Sequence, residues 1–241
     1  MNVLLLCREN CLVSRAATKH LESFTNWNVT KIEGSERGKA ELPDNEWDYL
    51  FAFRYPSILS EKQLSLVKHG AINFHPAPPR YRGSGAINHA IYNQDSTFGV
   101  TAHLMNALID DGPIVGLREW DIDFQPNKFD VQHLLRVSEA NLLELFKEVT
   151  NDIYHDPRKL FEREHKHKVA GIKFTGHPHY ISEIDDMINI TKYLTYMEEF
   201  SLTKESLAKT IRATYNPAGK HNPYIQVHGY RFVLESDKPH E

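Results

Sequence analysis

With 241 residues, 41% of them hydrophobic and 25% charged, the chain can bury one sizeable core and a small appended unit. Its 28 basic residues against 32 acidic ones leave a net charge of −4, without the concentrated positive surface that binding a phosphate backbone needs, so nucleic acid is not an expected partner. Two cysteines, Cys7 and Cys11, are too few for a disulfide framework, and their C-x-x-x-C spacing lacks the further ligands of a zinc site; reduced cytoplasmic thiols and no metal are expected.

The chain opens on Val3-Leu4-Leu5-Leu6-Cys7, an apolar run without a basic leader and well short of a membrane span or signal sequence. It reads as a buried first strand, with no membrane association expected. Leu12, Ala16, Leu21 and Phe24 then recur at roughly helical spacing, completing a βα opening. Asn28–Glu33 is a short strand, and Tyr49–Phe53 a stronger one closed by Arg54-Tyr55-Pro56. Ser60-Glu61-Lys62-Gln63 has the spacing of a capping box, with Leu64 and Val67 as buried positions and Gly70 as the stop. The strand Ala71–His75, the helix Gly85–Asn93, the strand Gly99–Met105 and the strand Pro113–Asp121 follow. A long helix over Lys128–Ile153 carries a stripe of Val131, Leu134, Leu135, Leu142, Leu145, Phe146 and Val149. Strands spaced by helices predict an α/β fold with a mostly parallel twisted sheet and ligands at the carboxyl ends of its strands.

After Pro157 the sequence turns charged across Phe161–Lys168, which places a boundary between a core of residues 1–160 and an extension of 161–241. Tyr193–Phe200 and Lys204–Thr214 read as short helices. The tail Tyr224–Leu234 reads as two alternating strands around His228-Gly229. Such a hairpin buries little alone and calls for the main domain or a second subunit to pack on.

Asn73 and His75, two residues apart on one strand, share a face, and Pro76 ends the strand just beyond them. A lone histidine among 14 is more often structural than catalytic, and Asp110-Asp111-Gly112-Pro113 alone is an ordinary turn. Together they supply an amide donor, an imidazole and a carboxylate, the groups that stabilise an oxyanion and accept a proton in an acyl transfer. His103 reads as a buried supporter of this set. Tyr81-Arg82-Gly83-Ser84-Gly85 fits neither a dinucleotide fingerprint nor a Walker loop. His165/His167 and His177/His179, without a spaced carboxylate or cysteine partner, read as surface histidines rather than the ligands of a metal-dependent hydrolase.

The Asn73-Phe74-His75-Pro76 strand end, followed by Gly99-Val100-Thr101-Ala102-His103 and Asp110-Asp111-Gly112-Pro113, resembles the motif pair of the formyltransferases that use 10-formyltetrahydrofolate. The resemblance covers roughly residues 1–155 and implies a Rossmann-like formyltransferase fold with a small C-terminal helical and β-hairpin extension. It carries catalysis onto Asn73, His75 and Asp110, the last by its seven-residue step from His103, which selects Asp110 over Asp111. It leaves open whether His75 acts as base or as oxyanion donor. Phe53, Arg54 and Tyr55, with Ile109 and Asp110, would line the site of the folate co-substrate. Arg8, Asn10, Arg80, Tyr81, Arg82 and Gly83 would lie near the acceptor.

The Arg8–Ser14 loop departs from the phosphate-binding Gly/Ser loop of the glycinamide ribonucleotide branch. The methionyl-tRNA branch carries a larger C-terminal domain and needs a basic RNA surface, which the acidic charge does not offer. The tail, with Ile211–Tyr215 before Asn216-Pro217, is similar to the branch that formylates nucleotide-linked amino sugars. By resemblance the acceptor is an amino-dideoxy sugar on dTDP or UDP, used for surface polysaccharide such as lipopolysaccharide O-antigen, and the protein a cytoplasmic homodimer through its C-terminal region. A hydroxyornithine-type acceptor in siderophore synthesis is the alternative. A non-catalytic folate- or nucleotide-binding protein is the alternative of another class, disfavoured by the intact Asn-His-Asp set.

Overall fold

The computed structural model describes residues 1–123, 130–191, 203–216 and 222–235. The chain divides into two compact units. The first comprises Met1–Arg82, Gly99–Trp120 and Ser138–His177, the second Gly83–Phe98, Asp121–Val137 and Pro178–Glu241.

The first unit is built on a six-stranded sheet in the order β2-β1-β3-β4-β6-β7, from β1 (Asn2–Arg8), β2 (Asn28–Gly34), β3 (Trp47–Phe53), β4 (Val67–His75), β6 (Thr97–Leu104) and β7 (Ile114–Asp121). β1 runs parallel to β2 and β3, and β3 parallel to β4, whereas β4 pairs antiparallel with β6. The sheet is therefore mixed, with its parallel half as the sequence indicates. In β1 the alternation of side chains divides two cores. Val3, Leu5 and Cys7 face one that includes Phe51, Phe53, Phe74 and Phe146, while Leu4 and Leu6 face another with Leu50, Ala52 and Ala71. Burial on both faces is why the strand reads as an unbroken apolar run.

Helix α1 (Leu12–Glu22) buries Ser14, Ala17, Thr18 and Leu21, an i, i+3, i+4, i+7 stripe that leaves Leu12 76% exposed. The stripe read from Leu12 and Ala16 is thus rotated: the small polar Ser14 and Thr18 take the inner face. Ser60 caps α2 (Glu61–Leu64) in the expected box, its hydroxyl accepting from the Gln63 amide and its own amide donating to Gln63 Oε1. The helix buries no residue. It ends at Leu64 because pairing of β4 with Trp47 of β3 begins at Val67, so Gly70 lies inside the strand rather than stopping the helix. Helix α4 (Val131–His155) is anchored by Asp130, whose Oδ1 accepts from the His133 amide. Residue 128, where the sequence starts this helix, lies outside the described residues. Leu142, Leu145, Phe146, Val149 and Ile153 are its buried face in the first unit. The charged Phe161–Lys168 stretch forms α5 (Lys159–Val169), and Leu160 at its start is buried in the same core. The first unit thus continues past residue 160 to His177.

The second unit contains α3 (Ala86–Asn93), α6 (Ile181–Ile188), α7 (Lys204–Thr214) and the hairpin of β9 (Tyr224–Val227) and β10 (Tyr230–Val233). β5 (Arg82–Gly83) and β8 (Pro178–His179) are strands of two residues. Asn88 of α3 donates to the Ala213 carbonyl at the end of α7 at 2.6 Å. The hairpin turns through His228 and Gly229, both at positive φ (48° and 84°), as a two-residue turn of matching twist requires. Tyr193–Phe200 lies outside the described residues. Among the described residues no helix is long and apolar enough to cross a membrane.

Candidate active site

Strand β4 ends on Asn73, Phe74 and His75. Phe74 turns into the aromatic core, so Asn73 and His75 project from the other face. The antiparallel neighbour β6 sets His103 directly across from Asn73 and Thr101 across from His75. Beyond β6 the chain turns back through residues 105–113 and delivers Asp110 to the same place. Asn73 Nδ2 donates to Asp110 Oδ1 at 3.1 Å and lies 3.2 Å from His103 Nε2, which is itself 3.2 Å from Asp110 Oδ1. His75 Nδ1 lies 3.4 Å from Asp110 Oδ2. Three side chains from two strands thus meet around the one carboxylate that the loop delivers, with His75, His103 and Asp110 buried.

Both imidazoles stand between oxygen acceptors. His75 reaches the Tyr81 carbonyl through Nε2 at 2.7 Å and faces Asp110 through Nδ1. His103 reaches the Leu104 carbonyl through Nδ1 at 2.9 Å and faces Asp110 through Nε2. Each ring is held at both ends, which fixes its plane and its distance from the carboxylate. Phe174 lays its ring edge on His103, with centroids 5.0 Å apart, and lies 6.3 Å from His75. Its segment is tied down by the Thr175 amide donating to the Pro79 carbonyl. The sequence offered no signal for Phe174, a single aromatic in a short polar connection.

Asp110 takes φ of 43°, a left-handed conformation that aspartate tolerates better than most residues. The turn behind it is possible only with glycine. A Cβ on Gly112 would stand 1.7 Å from the Leu104 carbonyl oxygen, a backbone atom that cannot move aside. The glycine of Asp-Gly-Pro is therefore a packing requirement of this loop as well as a turn signal.

The remaining candidate residues fall into different surroundings. The Phe53 ring is wholly buried against Phe74 and Phe146, so only its backbone is available to a ligand. Arg54, at φ of 56° at the end of β3, forms an ion pair with Glu139 and bonds Cys11 Sγ at 3.4 Å. Tyr55 packs on Gly34, where an added Cβ would meet its ring at 2.7 Å. The Tyr81 ring is buried and its carbonyl serves His75. Arg80 stands over the Tyr81 ring and 3.5 Å from Glu119. Arg82 bonds the Ile109 carbonyl through two nitrogens and lies 3.0 Å from Asp111. Gly83 holds φ of 77° against the His179 backbone. Arg8 and Asn10 are exposed at the end of β1, with Asn10 at φ of 53°.

In the second unit His179 pairs with Glu183, four residues on, the spaced carboxylate that the reading of His177/His179 as surface histidines did not count. His179 Nδ1 lies 2.8 Å and His89 Nε2 3.2 Å from Glu183 Oε2, the one group of three metal-ligating side chains this close among the described residues. Burial opposes charge on Glu183, yet hydrogen bonds from His179 and the Tyr180 amide hold its carboxyl below the usual value. The two imidazoles are stacked at 3.9 Å with 29° between their planes. Ligands of one ion point their in-plane lone pairs at a spot about 3 Å from each ring centre, and planes so nearly parallel converge much farther out. The arrangement is a carboxylate hydrogen-bonded to His179 and within ion-pair reach of His89 rather than a chelate.

Fold and site together define an α/β protein with an Asn–His–Asp centre where a parallel strand ends. Residues 16–145 match the formyl transferase family, and the chain belongs to it. It is 37% identical over 120 residues to the methionyl-tRNA formyltransferase of Thermotoga neapolitana, a match spanning 49% of this chain and 37% of that one. It thus spans well under two thirds of that relative. Among solved structures, a 4-N formyltransferase from Francisella tularensis superposes with a TM-score of 0.71 at 17% identity, covering 97% of this chain and 96% of that one. The formyltransferase PseJ from Anoxybacillus kamchatkensis, solved with UDP-4,6-dideoxy-4-formamido-L-AltNAc and tetrahydrofolate, gives a TM-score of 0.55 at 19% identity over 88% of this chain and 99% of that one.

Proposed function

We propose that the protein moves the formyl group of 10-formyltetrahydrofolate onto the amine of an amino-dideoxy sugar linked to dTDP or UDP. The observation that carries this reading is the convergence of Asn73, His75 and Asp110 within hydrogen-bonding reach at the end of β4. In the reaction the amine nitrogen attacks the formyl carbon, the carbonyl electrons move onto oxygen, the amine gives up a proton, and tetrahydrofolate leaves as the formamide forms. Asn73 donates its side-chain amide to the tetrahedral oxygen, and His75, with Nδ1 steadied by Asp110, bonds that oxygen or takes the amine proton once its Nε2 exchanges the Tyr81 carbonyl for the reacting group. The donor's ring system rests at the strand ends beside Arg54, Tyr55 and Ile109. The acceptor enters past Arg8, Asn10 and the Arg80–Gly83 loop.

The sugar acceptor is supported by the nearly complete mutual coverage with the 4-N formyltransferase fold and by the nucleotide sugar held in the PseJ structure. The net charge of −4 counts against an RNA acceptor. The product is destined for surface polysaccharide, and the enzyme works in the cytoplasm, where donor and nucleotide sugar are made. The hairpin leaves Tyr230 73% and Phe232 57% exposed on a pair of strands too small to be stable alone. A second copy covering it makes the protein a homodimer.

The test is mass spectrometry of dTDP- and UDP-linked amino sugars, N-hydroxyornithine and methionyl-tRNA after incubation with the protein and 10-formyltetrahydrofolate. One formyl group gained by a nucleotide sugar supports the proposal. Gain only on hydroxyornithine or on the tRNA replaces the acceptor and keeps the chemistry. No gain on any of them, with tetrahydrofolate still bound tightly, makes this a binding protein.

A further inference from the structure

We propose that Arg82 is a positioning residue that holds Asp110 in its working geometry, an inference that rests on the catalytic reading of Asp110. Asp110 reaches Asn73 and His75 from a loop backbone at φ of 43°, which an L residue does not keep by its own preference. Something else must hold the peptides on either side of it.

One guanidinium does so. Arg82 Nε and Nη2 donate to the Ile109 carbonyl at 3.2 and 2.8 Å, the peptide oxygen immediately before Asp110. The same Nη2 lies 3.0 Å from Asp111 Oδ1, immediately after it. Nη1 donates to the Gly176 carbonyl at 3.3 Å, on the segment that presses Phe174 against His103 and His75. A guanidinium has five N–H donors in a rigid fork, and these contacts engage four of them. With its side chain only 14% exposed, Arg82 is committed to the protein rather than presented to an acceptor. An ammonium could make the charge contact with Asp111 but not the two-nitrogen grip on Ile109, so lysine should substitute only in part.

The test compares Arg82→Gln and Arg82→Lys, alone and combined with Asp110→Asn, in initial rates with 10-formyltetrahydrofolate and the acceptor found by the panel above. Crystal structures of the single variants provide a readout independent of any acceptor. The proposal expects kcat to fall about 30- to 100-fold for glutamine and about tenfold for lysine, with KM for the acceptor within about threefold. In the Asp110→Asn background the same changes should cost less than about threefold, because the group they position is already gone. The crystals should show Asp110 withdrawn from Asn73. A loss carried by acceptor KM, a full additional loss in the Asp110→Asn background, or an unmoved Asp110 in the crystals would each overturn it. A near-normal Asp110→Asn enzyme would instead remove the catalytic reading beneath it. If Arg82→Gln does not fold, Arg82→Lys carries the same comparisons.

Discussion

Asp110→Asn separates charge from shape at the centre of the site. The replacement keeps every heavy-atom position and retains an acceptor for Asn73, 3.1 Å away, but it exchanges the Oδ2 that faces His75 for an amide nitrogen. If His75 is the base of the proposed reaction, taking the amine proton spreads positive charge over a ring whose Nδ1 stands 3.4 Å from that oxygen. At an effective dielectric of about 20, unit charges at this separation attract by about 5 kcal/mol, and a half-developed charge by about half of that. Losing about 2.5 kcal/mol from the transition state slows the reaction by nearly 10²-fold. An interaction that strengthens only in the transition state lowers kcat and leaves KM, so KM for 10-formyltetrahydrofolate should stay within about threefold. The assay is the initial rate of tetrahydrofolate release with both substrates saturating, beside a thermal melt to show that the variant is folded. A folded variant whose kcat lies within about threefold of the parent would refute the electrostatic argument.

Gly112→Ala places a methyl group 1.7 Å from the Leu104 carbonyl oxygen, so the loop must shift; a loss of about 2 kcal/mol or more in denaturant unfolding is expected, with activity falling alongside, and an unchanged midpoint would contradict the close approach. Burial, with the nearby Glu33 adding to it, pushes the Cys7 thiol up to about 11, so iodoacetamide at mildly alkaline pH should label it only after unfolding. The same shift makes stability fall as pH rises from 9.0 towards about 11, since the unfolded thiol ionises first. Rapid labelling of the native protein at Cys7 would count against both. Burial, reinforced by Lys147, lowers the His20 pKa from its ordinary 6.5, so the unfolded chain takes up a proton first and stability is lost as pH falls below that value. Substituting His20→Gln should flatten this limb in urea unfolding between neutral and mildly acidic pH, and an identical slope in both proteins would exclude the assignment.

The strands were legible where burial covers both faces. Val3–Cys7 and Tyr49–Phe53 form unbroken apolar runs because each is sandwiched between two cores. The capping box at Ser60 was legible because its hydrogen bonds are local, three residues apart. What the sequence misplaced depended on distant partners. Gly70 resembles a helix stop until the pairing of Val67 with Trp47 draws the strand back over it. The inner face of α1 follows the sheet beneath it rather than its most apolar residues, which is why Leu12 lies outward. The composition change near residue 160 is real, yet Leu160 is buried in the first core. The contact of α3 with α7 joins residues 125 apart in sequence, a separation that no local pattern records.

The site divides along the same line. Asn73 and His75 announce themselves through a two-residue period and a terminating proline, and Asp110 through a turn whose glycine has no room for a side chain. Each signal arises where the residue itself must adopt a particular backbone. Supporting side chains carry no such mark. Arg82 spells the same whether it faces solvent, an anionic acceptor or the Ile109 carbonyl, and the choice is made by a loop 27 residues away. Phe174 likewise depends on where its segment is tied. If Arg82 holds the carboxylate as proposed, exchanging the Arg80–Gly83 loop for one of different length would disable catalysis even with Asn73, His75 and Asp110 intact. An acceptor-binding role for the same loop would instead change which amine is formylated.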